Sequence, residues 1–142
     1  MKGTVFRLFM GKKDVIDLAE VIFTKNAPAA IGPYSQAIRT GNLLFTSGQI
    51  PIDPATGNIE AKGIEEQTHQ ICRNLGEVLK EAGLGYENVI KTTCFLYNMD
   101  DFAAFNKVYG EYFTSKPARS CVEVSKLPRG VLAEVELIAA FE

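Results

Sequence analysis

Hydrophobic and polar residues alternate along residues 117–140, and this pattern predicts two short strands joined by a turn at Pro128-Arg129-Gly130. One predicted face is apolar and carries Val122, Val124, Ala133, Val135, Leu137 and Ala139. The opposite face carries Glu134 and Glu136 in mid-strand, and Arg119 stands at the entry of the first strand. Charges in mid-strand either form a solvated sheet face or belong to a binding site, and the pattern leaves both interpretations open.

A hairpin is predicted closer to the N-terminus. Its strands, residues 37–39 and 43–47, flank the glycine-containing connection Thr40-Gly41-Asn42. The preceding residues 26–36 are predicted to be irregular, because two prolines and a glycine interrupt any regular ladder or helix.

Two amphipathic helices are predicted, one from about Gly63 to Ala82 and one beginning at Asp100 or Asp101 as its cap. The apolar stripe of the first helix is Ile64, Thr68, Ile71, Leu75, Val78, Leu79 and Ala82. The stripe of the second is Phe102, Phe105, Val108, Tyr109, Tyr112 and Phe113. A β-rich run, residues 89–97, lies between them. The order of elements predicts one α+β domain, a mixed sheet with both helices on one face.

Such a sheet leaves its other face uncovered. Leu132 and Ile138 are expected on that face, and an exposed apolar patch usually means a partner. A symmetric homo-oligomer is the simplest partner.

Charge and cysteine content exclude several function classes. A net charge of -2 and a pI near 5.5 argue against nucleic acid and anionic membrane as partners. Cys72, Cys94 and Cys121 stand far apart, which suits a reducing, cytoplasmic compartment and argues against a disulfide framework. His69 is the single histidine, so we expect no metal site, and we predict that His69 and Cys72 are packing residues. No phosphate-binding or dinucleotide-binding loop is present, and no cofactor is expected.

Residues 1–24 are treated as an N-terminal extension of uncertain role, preceding a domain at residues 25–142. Basic residues among apolar ones at the start faintly suggest an organelle-targeting segment, but acidic residues soon follow. An expression tag or an extra strand are the alternatives, and Met10 is an alternative start.

Three stretches, in this order, resemble the RidA/YjgF family of enamine and imine deaminases. They are Gly32-Pro33-Tyr34-Ser35-Gln36-Ala37, Thr46-Ser47-Gly48-Gln49-Ile50-Pro51, and Pro117-Ala118-Arg119-Ser120-Cys121-Val122-Glu123-Val124 with Leu127-Pro128 and Glu134 beyond. The resemblance runs from about Lys25 to Glu142. It implies a chorismate-mutase-like fold, a homotrimer, and active sites in the clefts between subunits.

The resemblance also implies an activity and a set of site residues. Family members hydrolyse 2-imino acids such as 2-iminopropanoate and 2-iminobutanoate to 2-keto acids and ammonia, without a cofactor. The family's carboxylate-binding arginine matches Arg119, and its water-orienting glutamate matches Glu134. Further pocket positions match Tyr34, Ser47, Asn106 and Cys121, the cysteine acting mainly through its backbone. Without the resemblance, these four residues would be interpreted as packing, strand-end or helix-surface residues.

The chain departs from the family in two places. Only Ser115-Lys116 connects Thr114 to Pro117, where many relatives have a longer loop containing an aromatic residue, and this bears on pocket shape and substrate range. Residues 1–24 have no clear counterpart in the family.

The rival hypotheses are an endoribonuclease or translation inhibitor, a non-catalytic trimer that binds small ligands, and a chaperone-like partner. The acidic pI and the lone histidine argue against an endoribonuclease, and the presence of Arg119 argues against a non-catalytic trimer.

Overall fold

The computed structural model describes residues 4–10 and 14–142, with side chains from residue 19 onward. Residues 1–3 and 11–13, which include Lys2, Lys12 and Lys13 of the predicted targeting pattern, lie outside the described residues. The strands are β1 (Thr4–Met10), β2 (Asp14–Ile22), β3 (Ala37–Thr40), β4 (Leu43–Thr46), β5 (Val89–Leu96), β6 (Ala118–Glu123) and β7 (Ala133–Ala140). The helices are α1 (Gly63–Glu81) and α2 (Phe102–Tyr112).

The strands of the described residues form one mixed sheet in the order β1-β2-β3-β4-β7-β5-β6. The pair β5 and β6 is parallel, and the other neighbouring pairs are antiparallel. The predicted α+β class, with one mixed sheet and two helices, is confirmed. In the part of the chain that the structure describes, neither helix combines the length and apolarity needed to span a bilayer.

Strands β1 and β2 form an antiparallel pair that lies wholly within the N-terminal extension. β1 pairs with β2 along its length, whereas β2 pairs with β3 only through Glu20, Val21 and Ile22. In the described residues, three residue pairs between β2 and β3 therefore join this antiparallel pair to the rest of the sheet. Its role, and that of residues 1–24 as a whole, stays a prediction.

Both helices pack on the face of the sheet that carries the alternating buried residues of β7. In α1 the predicted stripe is confirmed, since Ile71, Leu75, Val78 and Leu79 are fully buried. Cys72 is buried with them, as predicted for a packing residue. α2 begins directly after Asp101, which is the predicted cap position, but the Asp101 side chain makes no capping hydrogen bond. The side-chain cap belongs to the preceding single turn, where Asn98 accepts from the Asp100 N–H at 2.9 Å.

The two C-terminal strands are connected through the predicted turn at Pro128–Gly130, but they are not neighbours in the sheet. β5 lies between them, parallel to β6 and antiparallel to β7. The physical reason is that a parallel pair needs a long crossover, which α2 supplies between β5 and β6. β7 then takes the free edge of β5 on the other side.

This insertion decides which residues share a face. Arg119 is in register with Thr92 of β5, and Thr92 with the buried Leu137 of β7, so all three face the helices. Phe95 is in register with both Val122 and Glu134, on the helix-free face. The predicted apolar face of β6 is therefore the outer one, and Val122 is 46% exposed.

Candidate active site

Arg119 is held in place by α2. Its Nη1 donates to Asn106 Oδ1 at 2.7 Å, and its guanidinium carbon lies 4.9 Å from the ring centroid of Tyr109 and 5.3 Å from that of Phe102. Tyr109 is itself fixed, since its hydroxyl lies 2.7 Å from the buried Thr92 Oγ1. The rings support the guanidinium by cation–π attraction. N–H groups that Asn106 does not use remain available to bind a planar anion.

A cleft of about 320 Å³ opens beside Arg119. Its lining includes Asn106, Tyr109, Gly110, Lys116, Pro117 and Arg119. We call this the Arg119 cleft. Its lining contains two cations and no carboxylate, so its charge favours an anion.

Glu134 lies on the helix-free face, where the chain around Gly48 runs close beside β7. Backbone bonds between Gln49 and Val135, at 2.8 and 3.1 Å, fix that approach. Ser47 is fixed by its hydroxyl, which donates to the Ser35 carbonyl at 2.6 Å. Glycine leaves room for this carboxylate, since a Cβ on Gly48 would lie 2.6 Å from Glu134 Oε2 and the Glu134 side chain would have to move.

A cleft of about 420 Å³ surrounds this carboxylate. Its lining includes Tyr34, Ser47, Gly48, Pro128, Glu134 and Glu136, and we call it the Glu134 cleft. Tyr34 is 53% exposed, so its hydroxyl is accessible from outside. The cleft is acidic, in contrast to the Arg119 cleft.

Partial burial raises the pKa of Glu134 above that of an ordinary carboxyl group, and the neighbouring Glu136 carboxylate adds to the rise. A carboxyl group whose pKa lies closer to neutrality exchanges protons more readily at physiological pH. Glu134 is therefore suited to take a proton from water and to return one.

The predicted site residues fall into two groups on opposite faces of the sheet. Tyr34 and Ser47 lie with Glu134, and Asn106 lies with Arg119. Cys121 follows on the same strand face as Arg119. Within one chain the two groups face different clefts, so one copy of the described residues does not complete a site that needs both Arg119 and Glu134.

The cysteines are poor nucleophile candidates. Burial raises the pKa of the Cys121 thiol, although the Arg119 charge offsets part of the rise. Burial raises the pKa of the adjacent Cys94 thiol to about 12, and that of Cys72 further still. Because the thiolate is the reactive form, covalent catalysis through these residues is disfavoured. This agrees with a backbone role for Cys121.

Sequence reasoning missed three residues that shape the site: Gly48, Tyr109 and Lys116. The helical spacing of Tyr109 predicts a core residue, but spacing does not show that an arginine from a distant strand lies over its ring. Gly48 belongs to a motif, but the sequence gives no physical reason for a glycine there. The sequence shows the shortened loop that contains Lys116, but only the fold shows that Lys116 lies in the same cleft as Arg119.

His69 lies outside both clefts. Its Nδ1 is 2.9 Å from the Tyr112 hydroxyl, and its Nε2 is 3.8 Å from a Glu111 carboxylate oxygen. These contacts fit the predicted packing role. Among the residues with described side chains, no group of three histidine, cysteine or acidic residues could hold a metal ion.

Replacing Gly48 with Ala is expected to lower activity at the Glu134 cleft by about tenfold, with little loss of fold. The added methyl group must displace the Glu134 carboxylate, and a small misplacement of a catalytic group is costly. Steady-state kinetics and thermal melting on the same preparation measure the two effects. The control is Gly85→Ala, where a new Cβ likewise meets the end of a glutamate side chain, that of Glu87, and which lines neither cleft. Equal loss of activity in both variants would contradict the assignment.

Comparison with known proteins gives one consistent family. The family described as endoribonuclease L-PSP matches residues 24–141. A RutC family protein of Pyrococcus horikoshii is 57% identical over 123 residues, covering 86% of this chain and 98% of that protein. A mouse protein named 2-iminobutanoate/2-iminopropanoate deaminase is 46% identical and covers 86% of this chain and 91% of its own length.

A solved structure agrees with the fold. Escherichia coli TdcF with bound serine is 41% identical, superposes with a TM-score of 0.82, and covers 86% of this chain and 98% of its own. At this identity and coverage, the two chains are similar in sequence as well as in fold.

Proposed function

The chain belongs to the endoribonuclease L-PSP family, also called the RidA/YjgF family, and on that premise we propose that it hydrolyses 2-imino acids to 2-oxo acids and ammonia. The expected substrates are 2-iminopropanoate and 2-iminobutanoate, the compounds in the name of the mouse relative. The observation that carries the proposal is Arg119, whose guanidinium is positioned by Asn106 and still has free N–H groups. If the carboxylate of a 2-imino acid is bound there, the imine carbon next to it is held at a fixed distance from the guanidinium.

Binding supplies the first part of the catalysis. The guanidinium accepts a carboxylate through two parallel hydrogen bonds, which fixes both position and orientation. Because an imine carbon is already electrophilic, this reaction needs a positioned water more than a powerful nucleophile. The site residues are sufficient for it without a cofactor.

Glu134 supplies the proton transfers. It removes a proton from a water molecule as the water oxygen bonds to the imine carbon, and it passes that proton to the imine nitrogen to give a carbinolamine. Glu134 then takes the hydroxyl proton as the carbonyl forms and delivers it to the nitrogen, so that the carbon–nitrogen bond breaks, ammonia leaves and Glu134 is again ionised. One water is consumed, and no oxidant or reductant takes part.

We propose that two subunits complete each site, within a closed homotrimer. The opposite orientations of Arg119 and Glu134 support a head-to-tail interface, in which the Arg119 cleft of one subunit adjoins the Glu134 cleft of the next. Exposed apolar side chains on the helix-free face, Phe45 and Val122, support burial of that face. The free thiols of Cys72, Cys94 and Cys121 fit a reducing, cytoplasmic setting.

The proposal is tested by adding the protein to a serine or threonine dehydratase reaction and trapping the released imine with semicarbazide. We expect less semicarbazone and faster formation of the 2-oxo acid. If a folded oligomer leaves the imine decay at its spontaneous rate, the proposed activity is wrong. Incubation of the same preparation with RNA tests the endoribonuclease alternative, for which we expect no cleavage.

Mixing two inactive variants tests whether the site is shared. Arg119→Met and Glu134→Gln subunits, co-expressed in equal amounts, are expected to regain activity in about one quarter of the sites, because random assembly puts both intact residues at that share of head-to-tail interfaces. Specific activity of the purified mixture measures it, and each variant alone is the control. No recovery from verified mixed oligomers would mean that one subunit supplies both residues.

A further inference from the structure

The shortened connection before β6 places a second cation beside Arg119. Lys116 adopts a left-handed backbone conformation, with φ of 55°, and its N–H donates to the Phe113 carbonyl at 3.2 Å. Pro117 follows and restricts the chain further. Lysine has no intrinsic preference for the left-handed backbone conformation, so the surrounding turn determines the conformation of Lys116. Its position beside the cleft is therefore set by well-defined backbone.

The charge of Lys116 is not neutralised by the protein around it. No carboxylate among the residues with described side chains lies within ion-pair distance of Lys116 or Arg119. By contrast, the exposed Lys107 of α2 has Glu65 at 3.4 Å. Both unpaired cations line the Arg119 cleft, and its remaining lining is uncharged.

A monocarboxylate uses only one of these cations. Its carboxylate takes the free edge of Arg119, which Asn106 and the aromatic rings hold in a fixed orientation. Lys116 stands three residues earlier in the chain, on a flexible stem that reaches into the same cleft. Because both cations line one cleft, a second negative group on a ligand can contact Lys116 while the first stays on Arg119.

We propose that this chain accepts 2-imino acids that carry a second carboxylate, with Lys116 as the residue that determines this specificity. The inference rests on the proposed deaminase function and narrows its substrate class. Arg119 binds the carboxylate next to the imine carbon, and the Lys116 ammonium binds the distal carboxylate. The reaction supplying such a substrate would be the two-electron oxidation of an acidic amino acid by a flavin, or the dehydration of an acidic amino acid that carries a 3-hydroxyl group.

The test compares two imines that differ in the distal carboxylate. 2-Iminosuccinate and 2-iminopropanoate are made in place by flavin amino-acid oxidases from aspartate and alanine, and hydrolysis is followed by competition with semicarbazide. In Lys116→Met, we expect kcat/KM for 2-iminosuccinate to fall about fivefold to tenfold, and that for 2-iminopropanoate to change less than about twofold. Lys80→Met, at an exposed lysine near the end of α1, is the matched control.

A binding measurement keeps the two proposals separable. Calorimetry with the stable acids 2-oxoglutarate and 2-oxobutanoate is expected to show that Lys116→Met weakens only the former. If wild type accelerates 2-iminopropanoate alone, or if Lys116→Met affects both ligands equally, the specificity inference is overturned and the deaminase function stands. If neither imine is accelerated, the deaminase function fails, and selective loss of 2-oxoglutarate binding would still support the second anion site.

Discussion

Replacing Glu134 with Gln is expected to lower kcat for imine hydrolysis by about 10² to 10⁴-fold, the usual contribution of a positioned general acid–base group. Glutamine matches the carboxylate in shape and retains hydrogen bonding, but it cannot take a proton from water. Binding through Arg119 should survive, so KM should change little. Stopped or continuous assays of the dehydratase-coupled reaction measure both constants.

The pH profile carries a second signature of Glu134. Because partial burial and Glu136 raise its pKa, activity that depends on the ionised carboxylate should fall at a higher pH than an ordinary carboxyl group would give. Glu136→Gln is the matched control on the same strand face. It should keep most of the activity and move the acidic limb to lower pH, because one of the two causes of the shift is removed.

The same carboxylate should cost stability at neutral pH. A folded-state pKa above the unfolded value means that the favourable contribution of Glu134 is complete below its unfolded pKa and is lost as pH rises through its folded pKa. Glu134→Gln should therefore melt at a higher temperature than wild type at pH 7, with a smaller difference near pH 4. A variant that is inactive because it is unfolded would melt lower at both, and would contradict the catalytic assignment.

Replacing Arg119 with Met is expected to lower kcat/KM by about 10² to 10³-fold, since removing one partner of a desolvated, charge-assisted pair is costly. Most of the loss should appear in KM if the arginine binds substrate and transition state alike. Calorimetric titration with 2-oxobutanoate measures the lost binding directly, and near-ultraviolet circular dichroism checks that α2 and β6 keep their packing.

Arg119→Lys separates charge from shape. Lysine keeps the positive charge but cannot present two parallel donors or reproduce the planar cation over Tyr109 and Phe102, so intermediate activity is expected. Asn106→Ala should act in the same direction with a smaller effect, because it removes the 2.7 Å bond that orients the guanidinium. Wild-type kinetics in Arg119→Met would exclude the arginine as the substrate anchor.

Much of the fold could be predicted from local periodicity. The helical stripe that contains Ile71, Leu75 and Val78 and the alternation along β7 both depend on residues close in sequence, and both are confirmed. The neighbours of β6 could not be predicted in this way. Alternation shows which residues of a strand share a face, but pairing and the choice of buried face depend on contacts between distant parts of the chain.

The site shows the same division. Motifs singled out Arg119 and Glu134, but their alternation was interpreted as a shared face, whereas the insertion of β5 and the outward orientation of Val122 place them on opposite faces. In one chain, Arg119 and Glu134 therefore belong to two separate clefts. The support of Arg119 by Tyr109 lay beyond sequence reasoning, because a half-buried arginine beside a core aromatic leaves no periodic signal.

The supports of Arg119 come from one continuous stretch of chain, residues 102–119. The supports of Glu134 come from elsewhere, around Gly48 and β7. The proposed substrate anchor and the proposed proton-transfer group can therefore diverge separately during evolution. On the proposed function, we expect substitutions or length changes within residues 102–119 to alter which acid is bound and to leave the proton-transfer group unchanged, and exchange of this segment among relatives tests that expectation.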